Sequence, residues 1–455
     1  MNKFDFISPL DYRYYDARFV EFLSEEARVN YQARVEAALA KALAKHKICS
    51  AKVAEEIVKA SGEVSAEEVY AEEKRIKHDV RALANMIRKR VGDEAKPFVH
   101  FGATSYDIVD TSSALRYKDS TEKLVLPALI ALEKQLINLA MREKATLQIG
   151  RTHGQYAEPI TFGFFLTGYV NRLGNRITAI ERAKDSLCGK FSGAVGAYNA
   201  SGIFINDPRA FEKSIMDDLG LKVEEHSTQV VEPESLADLI HAIVSAFTVL
   251  ANLADDMRNL QRSEISEVAE GFGKEQVGSS TMPHKRNPIN FENVKSMWKE
   301  FMPRMITVYM DFISEHQRDL TNSASARFLP ESFAGLVMSA ERLAKVMEKT
   351  VVDKEKMLEN FNSAKGSIVA EPLYLLLASK GHEDAHETVR KITLEAQASG
   401  KTVLELAMAD NAIAPYLKGL GKQQIEILEN PEKYTGLAEE RTIAVCEKWK
   451  KILKI

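Results

Sequence analysis

Hydrophobic residues recur at three- and four-residue spacing over long stretches of this chain, the pattern of helices that bury one face. Phe162, Phe165, Leu166, Tyr169, Leu173, Ile177 and Ile180 form one such stripe. Leu236, Leu239, Ile240, Ile243, Phe247, Leu250, Leu253, Met257 and Leu260 form a longer one. A third runs through Phe291, Val294, Trp298, Phe301, Met305, Val308 and Phe312, and a fourth through Phe333, Leu336, Val337, Ala340, Leu343, Met347 and Val351. Another helix is predicted over 129–140, with Pro127 kinking its start. Strict two-residue alternation is nowhere long enough to predict a substantial sheet. The expected fold class is all-α.

Helices this long need long partners, which predicts an elongated bundle over 110–354. Residues 1–109 read as a helical domain with Lys- and Glu-rich surfaces. Residues 355–455 read as short helices broken at Gly381, Gly400, Pro415, Gly419, Gly421 and Pro431. A chain of 455 residues is too long for one core, since single cores stop growing near ~250–300 residues. Apolar stripes of this length exceed what one subunit can cover, so association through the bundle is expected, with a monomeric bundle as the alternative.

With 45% hydrophobic and 28% charged residues the chain is neither disordered nor collagen-like. Its 61 Lys and Arg against 65 Asp and Glu give a net charge of −4, which offers no global attraction for nucleic acid or an anionic membrane. Cys49, Cys188 and Cys446 are odd in number and far apart, so neither a disulfide framework nor a cysteine zinc site is indicated, and a cytoplasmic location is expected. The apolar run over 240–254 contains His241, Ser245, Thr248 and Asn252 and falls short of the roughly 20 apolar residues a bilayer requires. It reads as a buried helix.

Four segments could carry chemistry. The run EGFGKEQVGSSTMPHKRNP, 270–288, lies between two apolar stripes and predicts a mobile loop over about 263–288. Its Ser279 and Ser280, with Lys285, Arg286 and Asn287 close behind, suit closure over an anionic substrate, although composition alone equally fits a plain inter-helix loop. In GRTHGQYAEP, 150–159, His153 sits in a polar, glycine-flanked turn where an imidazole can pass protons; a structural histidine is the alternative. Lys77, His78 and Asp79 supply a cation, an imidazole and a carboxylate to orient it, or else a charged helix face. In HFGATSYDIVD, 100–110, Thr104 and Ser105 suit either anion binding at a helix start or simple capping. His382-Glu383-Asp384-Ala385-His386 satisfies the H-E-x-x-H zinc pattern, but its solvated character argues against a metal site.

The segment GSSTMPHKRNP, 278–288, resembles the signature loop of the fumarase/aspartase superfamily, and its HKRNP form resembles the branch that splits adenylosuccinate. SPLDYRY, KHDV, HFGATSYDIVD, GRTHGQ, SGAVG, HSTQ and EHQRDLTNSASAR extend the resemblance along most of the chain, in order. The resemblance implies an all-α subunit of three domains, 1–109, 110–354 and 355–455. It implies a homotetramer whose central helices form one bundle, with each active site built from three subunits. It further implies a nucleotide substrate, no cofactor, no metal, and neither nucleic acid nor membrane as partner.

The activity so implied is the anti β-elimination of fumarate from adenylosuccinate, leaving AMP, and from the succinyl-carboxamide ribotide of purine synthesis, leaving AICAR. Removing a weakly acidic C–H beside a carboxylate builds a multiply charged carbanion, so cations and amide donors must meet that charge, and a separate acid must protonate the departing nitrogen. By motif, Ser279 resembles the base, activated when the loop closes near Lys285 and excludes water, and His153 resembles the acid. Lys285 and Asn287 resemble the clamp on the succinyl carboxylates, and Glu292 the partner that orients the histidine. Thr104, Ser105, Gln229, Ser280, Arg286 and Ser325 resemble further substrate contacts. Arg13, Tyr14, Arg318, Ser323 and Arg327 resemble nucleotide and phosphate contacts, with Lys77, His78 and Asp79 a further binding cluster. Tyr156 departs from the pattern after THGQ. Rival readings are a 3-carboxy-cis,cis-muconate cycloisomerase, an argininosuccinate lyase, and a helical scaffold without activity.

Overall fold

A computed structural model of the chain describes residues 5–273, 281–282 and 284–455. The fold is mostly helical. It divides into two compact units, each assembled from three chain segments: Met1–Ile130, Asn175–Leu250 and Ser296–Glu341 form the first, and Ala131–Gly174, Ala251–Lys295 and Arg342–Ile455 the second.

In the first unit, helices Glu25–Lys45, Ala51–Ser61, Ala66–Ile76 and Asp79–Arg88 close around Val29, Ala33, Val53, Ile57, Val69, Leu83 and Ile87. Ser24, Ser50 and Ser65 cap the first three, each side chain accepting from a first-turn backbone N–H. Lys77 ends the third in the left-handed region, φ 60°, and the Nδ1 of His78 caps the next helix by accepting from the Arg81 N–H at 3.3 Å. The Lys77-His78-Asp79 trio is therefore a tight corner between two helices rather than a charged helix face.

Helix Ser105–Ser120 passes through a π-helical turn, Thr121–Val125, into helix Leu126–Arg142. Pro127 was expected to kink a helix start, yet the helix runs on. The wide turn, in which the Leu126 N–H bonds the Thr121 carbonyl, shifts the bonding register just before a residue that has no N–H to give. The stripe over 291–312 is likewise two helices, Ile289–Phe301 and Arg304–Met310, because Pro303 cannot continue the first. Helices Ser105–Arg142 and Glu234–Leu260 are long and apolar enough to cross a membrane by length and composition, but 61% and 67% of their apolar windows are buried within the fold, as expected of core helices.

The second unit contains an element the sequence reading did not predict, an antiparallel hairpin of Leu147–Thr152 and Gln155–Thr161. Leu147 and Ile149 pack against Phe361, Ala364 and Ile368 of helix Lys354–Ile368. Its C-terminal helices surround Leu373, Leu377, Val389, Ile392, Val403 and Ile413. Gly381 and Gly400 break the chain in the left-handed region, with φ of 88° and 71°. The H-E-x-x-H match does not place two histidines on one helical face: Asp384 caps helix Ala385–Ser399, so His382 precedes the helix and accepts from the Asp384 N–H instead.

Candidate active site

The motifs HFGATSYDIVD, SGAVG and HSTQ meet in the first unit. Asp107, in the first turn of helix Ser105–Ser120, is fully buried and accepts from the Thr104 N–H at 2.9 Å, the Gly193 N–H at 3.2 Å and the Lys190 ammonium at 2.5 Å. Thr111 exchanges two hydrogen bonds with the Lys190 backbone, which docks the 188–196 segment on the helix. Gly196, at φ 77°, lies so close to the Ser227 carbonyl that a Cβ there would overlap it, and Ser192 and Ser227 share a hydroxyl contact of 2.7 Å. Asp110 then accepts from the Val231 N–H at 2.9 Å. This chain of contacts delivers Gln229 to a cavity of about 460 Å³.

One face of helix Ser105–Ser120, from Ser105 through Val109, Ser113 and Tyr117, forms a wall of that cavity. Helix Glu25–Lys45 contributes Arg28 and Gln32, the helix corner contributes Lys77, His78 and Asp79, and the segment before Leu329 contributes Ser323 and Arg327. Seven residues chosen from sequence thus share one wall: Lys77, His78, Asp79, Ser105, Gln229, Ser323 and Arg327. Arg318 lines a smaller neighbouring cavity that shares Asp110, Ser113 and Asn322 with the first; its guanidinium covers the Tyr106 ring at 3.8 Å and donates to the Asn322 Oδ1.

The remaining candidates of this unit do not line either cavity. Thr104 ends at the helix cap, Ser325 donates its hydroxyl to Asp311 at 2.7 Å, and Arg13 and Tyr14 follow a short 3-10 turn with their N–H groups on the Pro9 carbonyl. Sequence reasoning missed Arg28, Gln32, Tyr106, Asp110, Arg116 and Asn322. Tyr106 and Asp110 lay inside a motif already singled out, and their one-turn spacing from each other was the available signal.

The charges on the wall are mostly internally balanced. Arg28 bonds Glu25 at 2.7 Å and approaches Asp79 at 3.8 Å, and Arg327 approaches Glu25 at 3.6 Å. Burial works against ionisation of Glu25, yet Arg28, the Tyr70 hydroxyl and Arg327 hold its carboxyl below the usual range. Burial pushes Asp110 up to about 6, against the Val231 N–H and the charges of Lys190 and Arg318.

His153 belongs to the second unit. It and Gly154 are the two central residues of the hairpin turn, with φ of 52° and 76°, the type I′ geometry that suits the strand twist. The turn exposes the imidazole. Beneath it the Arg151 guanidinium donates to buried Glu267 at 2.6 Å, and Gln148 and Asn360 bond the same carboxylate. Tyr156, the departure noted after THGQ, lies under Arg151 with its ring centroid 5.3 Å from the guanidinium carbon.

The ends of the signature loop are tied in this unit. Glu270 accepts from the backbone N–H groups of Asn290 and Phe291, both at 2.9 Å, capping helix Ile289–Phe301. Gln261 donates to the Arg286 carbonyl, and the Arg286 guanidinium covers the Phe272 ring. Lys285, Arg286 and Glu292 are exposed and Asn287 is half-buried. Ser279 and Ser280 lie outside the described residues, as do the other residues of 274–280 and residue 283 of the predicted mobile loop. No hydrogen bond or ion pair joins Glu292 to His153 among the described residues.

Comparison with known proteins places this geometry. The family described as "Lyase" matches residues 13–302, and the one described as "Adenylosuccinate lyase C-terminal" matches residues 314–433. The adenylosuccinate lyase of Pyrococcus horikoshii is 37% identical over 453 residues, covering 97% of each chain. That of Archaeoglobus fulgidus is 33% identical, covering 98% of this chain and 100% of its own. In fold the chain is similar to the 3-carboxy-cis,cis-muconate lactonizing enzyme of Pseudomonas putida, with a TM-score of 0.84 at 22% identity over 98% of this chain and 100% of that one. With two family matches in succession and relatives aligned from end to end, this chain belongs to the adenylosuccinate lyase family of the fumarase/aspartase superfamily.

Proposed function

We propose that the chain eliminates fumarate from adenylosuccinate, leaving AMP, and from the succinyl-carboxamide ribotide, leaving AICAR. The observation that carries this reading is the cavity that gathers Lys77, His78, Asp79, Ser105, Gln229, Ser323 and Arg327, a polar lining in which Lys77 and Arg327 can meet anions and Ser105, Gln229 and Ser323 can donate hydrogen bonds. A substrate with one phosphate and two carboxylates accounts for such a wall.

In this reading Ser279, activated when the loop closes near Lys285 and excludes water, takes the proton next to the succinyl carboxylate. Lys285 and Asn287 meet the charge that develops, and His153 protonates the departing nitrogen. Glu292 orients that histidine. Thr104, Ser280, Arg286 and Ser325 complete the substrate contacts, and Arg13, Tyr14 and Arg318 the nucleotide contacts. The three regions 1–109, 110–354 and 355–455 act as domains of a cytoplasmic homotetramer. Exposed Ile306, Met310 and Ile313, at 59%, 69% and 82%, support a bundle that one subunit leaves uncovered.

The test is a spectrophotometric assay of the purified protein with adenylosuccinate, with fumarate measured independently. Turnover is expected, with kcat reduced ~10²–10⁴-fold in His153→Ala and in Ser279→Ala. Mixing these two inactive variants restores part of the activity if sites are shared between subunits. A folded sample that leaves adenylosuccinate untouched overturns the reading and makes 3-carboxymuconate the next substrate to try.

A further inference from the structure

His153 stands on a hairpin tip that burial does little to hold. Residues 152–156 are all exposed, and the hairpin meets the protein interior further down, through Leu147 and Ile149. An imidazole that must meet a departing nitrogen needs a fixed position, because a misplacement of about 1 Å can cost on the order of 10²-fold in rate. Two side chains of the first strand converge on one buried carboxylate. Glu267 has no exposed side-chain surface and accepts from the Arg151 guanidinium at 2.6 Å, the Gln148 amide at 2.8 Å and the Asn360 amide at 2.9 Å. Arg151 lies two residues before His153. It also pairs with Tyr156 on the second strand and covers that ring at 5.3 Å, so the restraint reaches both sides of the turn. The pairing shifts register between Ile149 and Arg151, and a Cβ on the intervening Gly150 would stand 2.6 Å from the Glu158 carbonyl.

Glu267 is itself anchored through its backbone. Its N–H bonds the Leu260 carbonyl at 3.0 Å, its carbonyl accepts from the Asp353 N–H at 2.9 Å, and Val268 and Ala269 pair with Val352 and Val351. Ser266, just before it, holds the left-handed region at φ 53°, which a residue with a side chain keeps only where its surroundings determine the turn. The Asn360 amide donates to the Ile265 carbonyl at 2.8 Å as well, which ties this turn to helix Lys354–Ile368. A buried ion pair commonly gains no stability over apolar residues of equal volume, but hydrogen bonds converging on one carboxylate set a direction that apolar packing does not.

We propose that Glu267, acting through Arg151, is a positioning residue for the acid step: it holds the hairpin tip where the His153 imidazole meets the departing nitrogen. The role rests on the function proposed above. It differs from that of Glu292, which concerns the ring itself, because Glu267 acts on the backbone that carries the ring.

The experiment compares kcat and KM for adenylosuccinate in the full-length wild type, Glu267→Gln, His153→Ala and the double variant, with unfolding midpoints measured alongside. Glu267→Gln is expected to lower kcat about 10–100-fold while KM moves less than about threefold, the sign of an interaction used in the transition state rather than in binding. In the His153→Ala background the same substitution is expected to lower kcat less than about threefold, because no acid remains to be positioned. Arg151→Lys should retain more activity than Arg151→Met, since it keeps a cation on the carboxylate. A general loosening of the structure would lower kcat by the same factor in both backgrounds, and that result overturns the role. So does a folded Glu267→Gln whose kcat stays within about twofold of wild type. If wild type leaves adenylosuccinate intact, the proposed function falls and the role with it, whereas either of the two preceding results in an active enzyme removes the role alone. Should Glu267→Gln not fold, Glu267→Gln combined with Arg151→Met, which buries no unpaired charge, carries the same comparison in both backgrounds.

Discussion

Replacing Glu133 by methionine is expected to stabilise this protein, and more so as the pH rises. Glu133 lies in helix Leu126–Arg142, fully buried, and neither of its carboxyl oxygens has a hydrogen-bond partner among the described residues. Burial pushes its pKa from 4.5 up to about 9. The folded chain therefore keeps a proton that the unfolded chain releases. Stability is full below the unfolded value and is lost as the pH rises through the interval between the two. Each unit of that interval is worth ~1.36 kcal/mol, so the loss is on the order of 3 kcal/mol at pH 7 and 5 kcal/mol at pH 8.5. Methionine has a similar volume, does not ionise and leaves no orphaned oxygen. Unfolding midpoints in urea, measured for wild type and Glu133→Met at equal protomer concentration and at pH 5, 7 and 8.5, should diverge steadily. The neighbouring Cys446 thiol, pushed up by burial to about 11, titrates above this window and does not confuse it. Parallel profiles for the two proteins would refute the reasoning, because they would mean that the carboxyl ionises alike in the folded and unfolded chains.

Three further outcomes are expected. Lys190→Met leaves Asp107 buried without its ammonium and should cost ~3–5 kcal/mol by urea unfolding, much of which Asp107→Leu in the same chain should return. Gly174→Ala puts a Cβ into the Trp449 ring and should cost ~1–3 kcal/mol, whereas Gly168→Ala, with open space around it in the same helix, should gain up to ~1 kcal/mol; the difference in melting temperature checks both. Asp110 is charged only above about 6, and its charged form is the better acceptor for the Val231 N–H, so kcat/KM should rise through that pH in wild type and lose the limb in Asp110→Asn.

The chain itself determined the helical class, the extent of most long helices and the order of the chemical motifs. Burial of one helix face is written locally, as three- and four-residue spacing, and turns are written locally as glycine, proline and capping residues. The stripes over 162–180 and 236–260 therefore matched helices Phe162–Asp185 and Glu234–Leu260 closely. Where local rules compete, the reading failed. Pro127 was absorbed by a π turn, and the strands around His153 form because Leu147 and Ile149 find Phe361, some two hundred residues away. His153 stood out in sequence because turn composition singled it out, but its hairpin did not, because pairing is a long-range event.

Tertiary structure alone decided which polar residues face the cavity. Arg28, Gln32, Asp110 and Arg116 read in sequence as the ordinary polar faces of amphipathic helices. Their spacing cannot distinguish solvent from a space enclosed by other helices. Only when the 188–196 and 226–231 segments dock on helix Ser105–Ser120, through the buried Asp107–Lys190 pair, does that face become a wall with Gln229 beside it. A cavity is a property of several elements packed together, and no single stretch of sequence contains it.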